Sequence, residues 1–356
     1  MSGMPGAEQP FAYERALSEL GKSVSDLRGQ LTTTLEALEL IHDDDPTARR
    51  RLAELRGGVD YDAAFTVADP LVSIVIPTWD RVETLIGRSV PSALAQTHAN
   101  LEVIVVGDAS PPHVADALAQ LEDPRVRFHN LTIRGPYDED NYRAWLASGS
   151  PGYNAGVAMA RGMWIAPLGD DDEFKPNHVE TLLAEARERR LEFVYGRGQM
   201  LTPDGAEIYL GEFPPRLTQV GLQFAIYHSG LRFMELELGH ALFGKPNDWG
   251  LVHRMMRVGV RMGMVDEATV IYRPSLRAQA ALSERELAAA EDRDDVIHEV
   301  DSPEEHPSAR VSELEHQLDD ERALTNELYG RLEEVRRSRS WRLTAPLRRL
   351  RGRGTS

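Results

Sequence analysis

Polar side chains follow three apolar runs of this sequence, and their types could bind a charged ligand. The runs are residues 72–79, 102–110 and 164–172, and they end in Pro77 and Thr78, in Asp108 and Ser110, and in Asp170, Asp171 and Asp172. In sheets of parallel strands, ligands bind outside the carboxyl ends of the strands. If the three runs are neighbouring strands, these side chains line one crevice that holds several carboxylates and no nearby lysine.

The three consecutive aspartates at 170–172 carry the strongest chemical signal. Clustered carboxylates repel one another and resist burial unless a positive charge joins them. Mg²⁺ and Mn²⁺ prefer oxygen ligands, and Mg²⁺ commonly bridges one or two carboxylates to the phosphates of a substrate. The pattern therefore favours a divalent cation. A solvated turn or a helix N-cap, with Lys175 and Pro176 following, explains the same residues and stays open at this point.

The elements that must position these residues alternate between strands and helices. Residues 72–79, 102–110, 125–131 and 164–172 are predicted strands, and helical spacing occurs at residues 82–96 and 154–162. Two further apolar segments, 191–201 and 206–211, flank the turn sequence Thr-Pro-Asp-Gly. This order predicts an α/β fold with a mainly parallel central sheet and helices on both faces.

Two helical arms flank this α/β region. Apolar residues at three- and four-residue spacing run from Leu17 to Ile41 and from Val311 to Val335, which is a heptad pattern. Pro46, after three aspartates, ends the heptad helix of the first arm, because proline interrupts a helix. A coiled coil and an amphipathic helix packed on the main domain both fit the pattern. The predicted domains are an arm at 1–58, the main domain at 70–275, a helix and acidic linker at 276–308, a second arm at 309–337 and a basic tail at 338–356.

Composition excludes several classes of protein. The 356 residues carry a formal net charge of −17, which argues against a general nucleic-acid binder, because such proteins neutralise phosphates with a basic face. The absence of cysteine excludes disulfides, a thiol nucleophile and thiolate-bound metals. No apolar run approaches the ~20 residues of a membrane helix, and the first residues lack the pattern of a signal peptide. We therefore expect a cytoplasmic protein.

Four motifs in this order resemble glycosyltransferase family 2, whose members are inverting enzymes with a GT-A fold. The motifs are VSIVIPTWDR, EVIVVGDAS, NAGVAMARGMWIAPLGDDD and NDW. The resemblance covers residues 70–275 and implies transfer of a sugar from a nucleotide-sugar donor to a hydroxyl acceptor. It also implies Mn²⁺ or Mg²⁺ as the cofactor, since a metal stabilises the charge that develops on the leaving phosphate.

The resemblance implies a role for each matching residue. The donor-binding residues would be Pro77, Thr78, Asp108, Ser110, Asn154 and Asp170, and the metal ligands would be Asp171 and Asp172; a structural role for Asn154 stays equally open. Asp248 stands where the family has the general base that takes the proton of the acceptor hydroxyl, although a helix N-cap also favours Asp. Gly107 departs from the family, in which many members have a second aspartate. His228 and His240 could contact the diphosphate or the acceptor, or be satisfied by local hydrogen bonds.

Two other functions stay open. A nucleotidyltransferase also combines a nucleotide-binding α/β sheet with metal-binding carboxylates, but residues 77–83 contain none of the glycines that a phosphate loop would bring. A non-catalytic scaffold could use the two arms on an inactive transferase fold. The joint presence of Asp108, Asp171 and Asp248 counts against the scaffold.

The end of the chain suggests partners beyond the donor and a saccharide acceptor. Residues 336–356 contain eight arginines and no acidic residue, with Trp341 and three leucines among them. They resemble the C-terminal tail of some bacterial surface-polysaccharide glycosyltransferases. Such a segment can bind an anionic membrane, which would place the enzyme at the cytoplasmic face beside a lipid-linked glycan. A solvated tail, or one paired with the acidic linker, is the alternative. The heptads predict a homo-oligomer, and no nucleic acid is expected.

Overall fold

The structure is a computed structural model, and it describes residues 9–138, 141–201 and 206–273. The chain divides into two compact units. The first contains residues 1–38 and 290–356, and its described part is the body of one long helix. The second contains residues 39–289 and carries the sheet and the candidate site. The predicted linker, second arm and basic tail lie outside the described residues.

Four parallel strands form the half of the sheet that carries the predicted site. They are β1 (Val72–Thr78), β2 (Leu101–Gly107), β3 (Val126–Asn130) and β4 (Trp164–Pro167). Their order is β3–β2–β1–β4, and β1 pairs in parallel with both β2 and β4. The sequence predicts all four strands, and the α/β fold class is confirmed.

Burial explains why these strands form the centre of the molecule. Almost every residue of β1 and β2 is buried, and both strands present Val and Ile on both faces. Strands that are covered on both faces have this continuous apolar character. Ser73 and Glu102 are polar exceptions, and the Ser73 hydroxyl donates to the Glu102 carboxylate at 2.7 Å. Arg127 and Arg161 neutralise the buried Glu102.

The other half of the sheet mixes strand directions. Its strands are β5 (Glu173–Phe174), β6 (Phe193–Leu201), β7 (Glu207–Leu210), β8 (Ala225–His228) and β9 (Met262–Tyr272). β8 lies between β4 and β6 and is antiparallel to both, whereas β9 runs parallel to β6. β6 and β7 pair in antiparallel fashion, as the turn sequence between them predicts. The sequence did not predict β8 or β9; four residues of β8 are too few to show a strand period.

Helices connect the strands and cover both faces of the sheet. After β1 come α4 (Val82–Thr84), a π-helical turn (Leu85–Ser89), α5 (Val90–Leu94), α6 (Pro112–Ala119), α7 (Asn141–Ala147), α8 (Ser150–Met159), α9 (His178–Arg189) and α10 (Asn247–Val258). Crossovers between parallel strands are right-handed. Along the sheet, β2 and β3 lie on one side of β1, and β4 lies on the other side. Right-handed crossovers toward opposite sides place their helices on opposite faces, so α5 and α6 cover one face and α8 covers the other. The single helix predicted at 82–96 is interrupted, because Pro91 lacks the N–H that the preceding turn needs.

Three helices precede the sheet. They are α1 (Gln9–Asp43), α2 (Asp45–Arg56) and α3 (Ala63–Thr66). The first helix ends where the sequence predicts: Asp44 adopts a left-handed φ of 47°, and Pro46 lies in the first turn of α2, where proline is accepted. Within the described ranges, none of the helices combines the length and the apolar character that crossing a membrane requires.

Candidate active site

A cavity of about 640 Å³ opens at the carboxyl ends of β1, β2 and β4. Its lining includes seven of the predicted site residues: Pro77, Thr78, Asp108, Asp170, Asp171, Asp172 and Asp248. The strand ends meet because β1 and β2 pair up to Thr78 and Gly107, and the Asp108 N–H donates to the Thr78 carbonyl at 2.8 Å. The crevice that the sequence predicts is therefore present. Ser110 and Asn154 are absent from its lining.

Residues 170–172, which we call the acidic turn, follow β4 and form one wall of the cavity. Asp170 accepts a hydrogen bond from Thr78 Oγ1 at 2.8 Å. Arg81 reaches the turn from the end of β1: its Nη1 hydrogen-bonds the Asp171 carboxylate and lies 3.3 Å from Asp170 Oδ1. The third carboxylate, that of Asp172, accepts the N–H of the residue after β9 at 3.0 Å. Three carboxyl groups thus face one guanidinium.

Burial makes negative charge costly on the acidic turn. Burial raises the pKa of Asp170 to about 6, although the charge of Arg81 opposes this shift. It also raises the pKa of Asp171 against the same arginine, and it raises that of Asp172 well above its usual range, with the charge of Asp171 adding to the effect. A carboxyl pKa that burial raises indicates that nearby positive charge and hydrogen bonds do not compensate the ionised group for its loss of water. The turn therefore favours binding of a further cation.

Asp108 lies at the end of β2 and holds the loop that follows β3. Its Oδ1 accepts the Gly135 N–H at 2.9 Å, and its Oδ2 accepts a short hydrogen bond of 2.5 Å from the Tyr137 hydroxyl. On the same loop, the guanidinium of Arg134 lies 3.6 Å over the ring of Trp79, which is 40% exposed. A flat, partly exposed aromatic and cationic surface therefore stands beside Asp108, where the family resemblance places the nucleotide base.

The surroundings of Gly107 account for the missing second aspartate. A Cβ at position 107 would lie 2.4 Å from Asn130 Oδ1 and 2.7 Å from Ser110 Oγ, so the space is already filled. Asn130 clamps the Ser110 backbone, accepting its N–H at 2.8 Å and donating to its carbonyl at 2.9 Å. Ser110, a predicted donor-binding residue, is therefore a buried residue that ties the end of β2 to β3.

Asn154, the other predicted residue outside the lining, clamps a loop across the molecule. Its Nδ2 donates to the Leu236 carbonyl and its Oδ1 accepts the Leu236 N–H, both at 2.9 Å. Leu236 itself lines the cavity. Because these two bonds use both ends of the amide, Asn154 shapes the cavity wall from behind. Its partner is 82 residues away in the sequence, so spacing gave no sign of this role.

Asp248 lies in the first turn of α10 and lines the cavity. The helical spacing after Asn247 predicts this position. Pro246 is the N-cap, so Asp248 lies inside the helix and does not cap it. Burial raises the pKa of Asp248 to about 6, and hydrogen bonds from backbone N–H groups, including that of Trp249 at 2.7 Å, oppose the shift. A carboxylate with a pKa close to neutrality suits general base catalysis.

The two histidines considered for the site lie outside the cavity lining. His228 Nδ1 accepts the Gly230 N–H at 2.9 Å, and its ring stacks on that of Tyr61 at 5.1 Å. The side chain of His240 is fully buried, and its Nε2 lies 2.9 Å from Asp43 Oδ1. Local contacts hold both rings, which was one of the alternatives that the sequence left open, although only Nε2 of His240 has a hydrogen-bond partner.

A second carboxylate site, which we call the buried cluster, joins Asp43 to His42, His240 and Arg257. Asp43 Oδ1 lies 3.1 Å from His42 Nδ1, and Asp43 Oδ2 accepts a hydrogen bond from Arg257 at 2.6 Å. Burial alone would raise the pKa of Asp43, but hydrogen bonds from the two histidines and Arg257 hold it well below its usual range. Ligand atoms of the two histidines and Asp43 lie within 4.8 Å of one another, so distance alone permits a metal ion here.

Sequence reasoning missed several residues that line the cavity. Arg81 stands directly after the first strand, inside a quoted motif, so its position was a usable signal. Trp145 comes from α7 and Arg273 from the end of β9. Asn247 lies beside Asp248, and its side chain donates to Ser150 Oγ at 2.7 Å. Periodicity links none of the last three residues to the strand ends, so the fold alone brings them there.

Comparison with known proteins identifies the family. The model described as Glycosyl transferase family 2 matches residues 73–138 and 148–238, which stops before Asp248. Chondroitin synthase of Pasteurella multocida (strain Pm70) is 32% identical over 178 residues, which are 49% of this chain and 17% of that protein. Succinoglycan biosynthesis protein ExoO of Rhizobium meliloti is 34% identical over 118 residues, which are 33% of this chain and 30% of that protein. The chain thus spans less than a third of either relative.

Among solved structures, S. aureus TarS 1–349 in complex with UDP is 14% identical, with a TM-score of 0.46, over 57% of this chain and 60% of that chain. The family match contains the parallel strands β1, β2, β3 and β4 and the acidic turn at their carboxyl ends. Residues 73–138 and 148–238 of this chain, which include the acidic turn, therefore match glycosyl transferase family 2.

Proposed function

We propose that this protein is an inverting glycosyltransferase that moves a sugar from a nucleotide-sugar donor to a hydroxyl group of a glycan. The observation that carries the proposal is the shared cavity, with the acidic turn and Asp248 both in its lining. The turn provides a place for a cation and a diphosphate, and Asp248 provides a base for the acceptor. Sugar transfer needs both groups, whereas a protein that only binds nucleotides needs no base.

The acidic turn fits a divalent cation by the chemistry of its ligands. Carboxylate oxygens are the donors that Mn²⁺ and Mg²⁺ prefer. Burial raises the pKa values of its carboxyl groups although the charge of Arg81 opposes the shift, so Arg81 alone does not compensate the ionised groups for their loss of water. Asp171 and Asp172 would hold the ion. A cation bound there supplies Lewis-acid stabilisation of the charge that develops on the leaving diphosphate.

Asp248 would act as the base in a single displacement. The acceptor oxygen attacks the anomeric carbon of the donor sugar, and the acceptor proton passes to the Asp248 carboxylate. The bond between that carbon and the diphosphate oxygen breaks, and the nucleoside diphosphate leaves with the electron pair. Attack opposite the leaving group inverts the anomeric configuration, so no covalent sugar–enzyme intermediate is needed. The burial that raises the pKa of Asp248 to about 6 supports this role, because the group is still mostly ionised at neutral pH.

Donor binding would use the strand ends. Thr78 and Asp170 already hydrogen-bond one another at 2.8 Å, which fixes both groups at the carboxyl ends of β1 and β4. The stack of Arg134 on Trp79 offers a flat surface suited to a nucleotide base. Pro77 and Asp108 complete this side of the cavity. A UDP-, GDP- or dTDP-sugar would satisfy these contacts.

The acceptor would be a saccharide of a cell-surface glycan. The relatives reported above are named for chondroitin and succinoglycan biosynthesis, and a second relative from Pasteurella multocida is named hyaluronan synthase, with 32% identity over 178 residues. Trp145 lines the cavity and presents a large aromatic side chain. Aromatic rings combine an apolar face with polar surroundings, which suits the face of a sugar.

The basic tail supports a location at the cytoplasmic face of a membrane. Residues 336–356 carry eight arginines and no acidic residue, and arginines near an anionic surface each contribute about 1 kcal/mol at low salt. A lipid-linked glycan would then lie within reach of the enzyme. Cosedimentation with anionic vesicles, with and without the residues after Val335, tests this location. Equal binding by the two chains would remove the tail from the proposal.

The heptad arms support self-association. An isolated helix of this length is marginal in water, so burying its leucines against a second copy would stabilise it. Light scattering of the full chain and of residues 70–275 tests this expectation. Monomers in both samples would contradict it.

The function itself is tested with a panel of nucleotide sugars and Mn²⁺. Release of a nucleoside diphosphate from one donor is expected, and the Asp248→Asn variant should release it at least about 10²-fold more slowly. Release of a sugar 1-phosphate instead, with transfer of the nucleotidyl group, would indicate a nucleotidyltransferase. Binding of a nucleotide sugar without any turnover, in the presence of saccharide acceptors, would favour the scaffold.

A further inference from the structure

Arg81 places a positive charge against the acidic turn. It follows the end of β1 by three residues, and its guanidinium hydrogen-bonds Asp171 and lies 3.3 Å from Asp170 Oδ1. The side chain is 41% exposed, so it can leave these carboxylates without moving through packed atoms. The family resemblance assigns no role to this residue.

The other contacts of the turn come from groups that stay in place. Thr78, which donates to Asp170 at 2.8 Å, is a buried residue of β1. The group that donates to Asp172 at 3.0 Å is a backbone N–H, that of Arg273. Arg81, by contrast, acts through a long side chain whose planar head carries five N–H donors. It is therefore the contact that a ligand can replace.

We propose that Arg81 and the divalent cation compete for Asp171, and that the displaced Arg81 binds the diphosphate of the donor. This inference rests on the proposed function, because it assumes a metal and a nucleotide diphosphate in the same cavity. A guanidinium and a metal ion repel one another and use the same lone pairs of the carboxylate. A guanidinium that leaves a carboxylate finds a matching pair of acceptor oxygens on a phosphate.

The exchange couples the two ligands. Without a nucleotide, the cation must displace Arg81 from Asp171, and this lowers its affinity for the free enzyme. With a diphosphate present, the displaced Arg81 gains a new partner, so the same displacement becomes favourable. By thermodynamic linkage, the cation and the diphosphate each strengthen the binding of the other. A plain surface salt bridge would produce neither effect.

Metal affinity provides a readout that is independent of turnover. Mn²⁺ binding to the full chain, followed by electron paramagnetic resonance, is compared for the wild type, Arg81→Met and Arg88→Met. Arg88 is the matched control, because its charge also acts on Asp171 whereas Arg81 adds a direct hydrogen bond. We expect Arg81→Met to bind Mn²⁺ about threefold to tenfold more tightly than the wild type, which corresponds to the loss of one half-exposed ion pair. Arg88→Met should remain close to the wild type.

Nucleotide affinity should change in the opposite direction. The affinity for UDP, GDP and dTDP is measured at saturating Mn²⁺, and the tightest of the three is followed through the variants. Arg81→Met should bind this diphosphate at least about threefold more weakly, because a charged hydrogen bond to phosphate is lost. Arg81→Lys keeps the charge without the planar fork, so it should fall between the wild type and Arg81→Met.

The outcomes separate this inference from the proposed function. If Arg81→Met binds Mn²⁺ as the wild type does or more weakly, Arg81 and the cation do not compete for Asp171. If its affinity for the diphosphate is unchanged, Arg81 does not bind the diphosphate. Mn²⁺ binding that persists unchanged in Asp171→Asn would instead overturn the metal assignment on which the proposed function depends. Absence of Mn²⁺ binding in every variant would contradict both.

Discussion

The acidic turn and the buried cluster both set carboxyl groups against an arginine, but the pKa values of their carboxyl groups shift in opposite directions. The acidic turn sets three carboxyl groups against one half-exposed guanidinium. The buried cluster sets one carboxylate, that of Asp43, among two imidazoles and the guanidinium of Arg257. Burial raises the pKa of the carboxyl groups on the turn, whereas hydrogen bonds hold the pKa of Asp43 well below its usual range despite its burial.

The difference lies in how many donors each carboxylate has. Both Asp43 oxygens are hydrogen-bonded inside the protein, so the group is stabilised in its charged form and binds α1 to α10. The turn has fewer donors than carboxylate oxygens and opens into a cavity, so it retains a capacity for ligands. Carboxyl groups that the protein's own donors do not fully pair are typical of a functional site, where the arrangement favours ligand binding and lowers the stability of the fold.

A distance criterion and the hydrogen bonds of the buried cluster point in different directions about a metal ion there. His42, Asp43 and His240 meet a distance criterion for metal ligands. However, Nδ1 of His240 is buried without a hydrogen-bond partner, and a Cβ on Gly250 would lie 2.1 Å from it. A histidine that binds a metal through Nε2 carries its proton on Nδ1 and normally donates it to an acceptor. The geometry therefore favours a His240 Nε2–H that donates to Asp43.

The largest predicted effect is on turnover at the acidic turn. Asp171→Asn removes the carboxylate that would hold the cation, so turnover should fall by about 10³-fold or more, since metal stabilisation of the leaving group contributes several kcal/mol. The free energy of unfolding should stay the same or rise, because a buried carboxyl group that is short of partners is lost. Steady-state assays and urea unfolding of the same preparation measure both quantities. If Asp171→Asn strongly lowers the free energy of unfolding, the Asp171 carboxylate stabilises the fold as Asp43 is expected to do, and the contrast between the two sites fails.

The buried cluster should show the reverse pattern. Asp43→Asn removes the charged acceptor of both histidines and one of the two carboxylate partners of Arg257, which keeps its ion pair with Asp45, and removing one partner of a buried ion pair costs about 3 kcal/mol. Urea unfolding measures the loss, and turnover per folded molecule should change little. The matched control is Asp62→Asn, which breaks an exposed ion pair with Arg190 and should cost less than about 1 kcal/mol.

The pH dependence of stability separates the clusters further. The pKa of Asp43 is lower in the folded protein than in the unfolded chain, so its contribution is present above the unfolded value and is lost as the pH falls. Asp43→Asn should therefore flatten the acid side of the stability curve. An acid limb that is as steep in Asp43→Asn as in the wild type would contradict the assignment.

Asp248 should govern the pH dependence of activity. Burial raises its pKa to about 6, so the fraction of ionised base, and with it turnover, should rise as the pH increases through about 6. Asp248→Asn should lower turnover by about 10²-fold and abolish this limb. Because the pKa of Asp248 is higher in the folded protein than in the unfolded chain, its contribution to stability is fully present below the unfolded value. This contribution is lost as the pH rises through about 6. Urea unfolding above that pH should thus find Asp248→Asn no less stable than the wild type.

The sequence predicted the parts of the site that depend on strand ends, and it missed those that depend on the fold at long range. Thr78, Asp108 and Asp170 follow apolar runs whose length and composition already indicate buried parallel strands. Asp43 and His240 are 197 residues apart, and no local period links them. The parallel half of the sheet was predictable for a similar reason, because β1, β2 and β4 are mostly apolar runs and β3 alternates apolar with polar residues, whereas short β8 shows no period of its own.

The smallest predicted effect is that of a chelator on the buried cluster, and it decides between hydrogen bonds and a metal there. The measurement uses Asp171→Asn, in which the acidic turn has lost the carboxylate that would hold a cation. If the cluster is held by hydrogen bonds, excess EDTA should leave the melting temperature of this variant unchanged, and Zn²⁺ should not raise it. A bound ion would stabilise the folded state by mass action, so its removal would lower the melting temperature. A fall of several degrees with EDTA that Zn²⁺ reverses, and that His240→Gln removes, would make the buried cluster a metal site and erase the contrast between the two carboxylate sites.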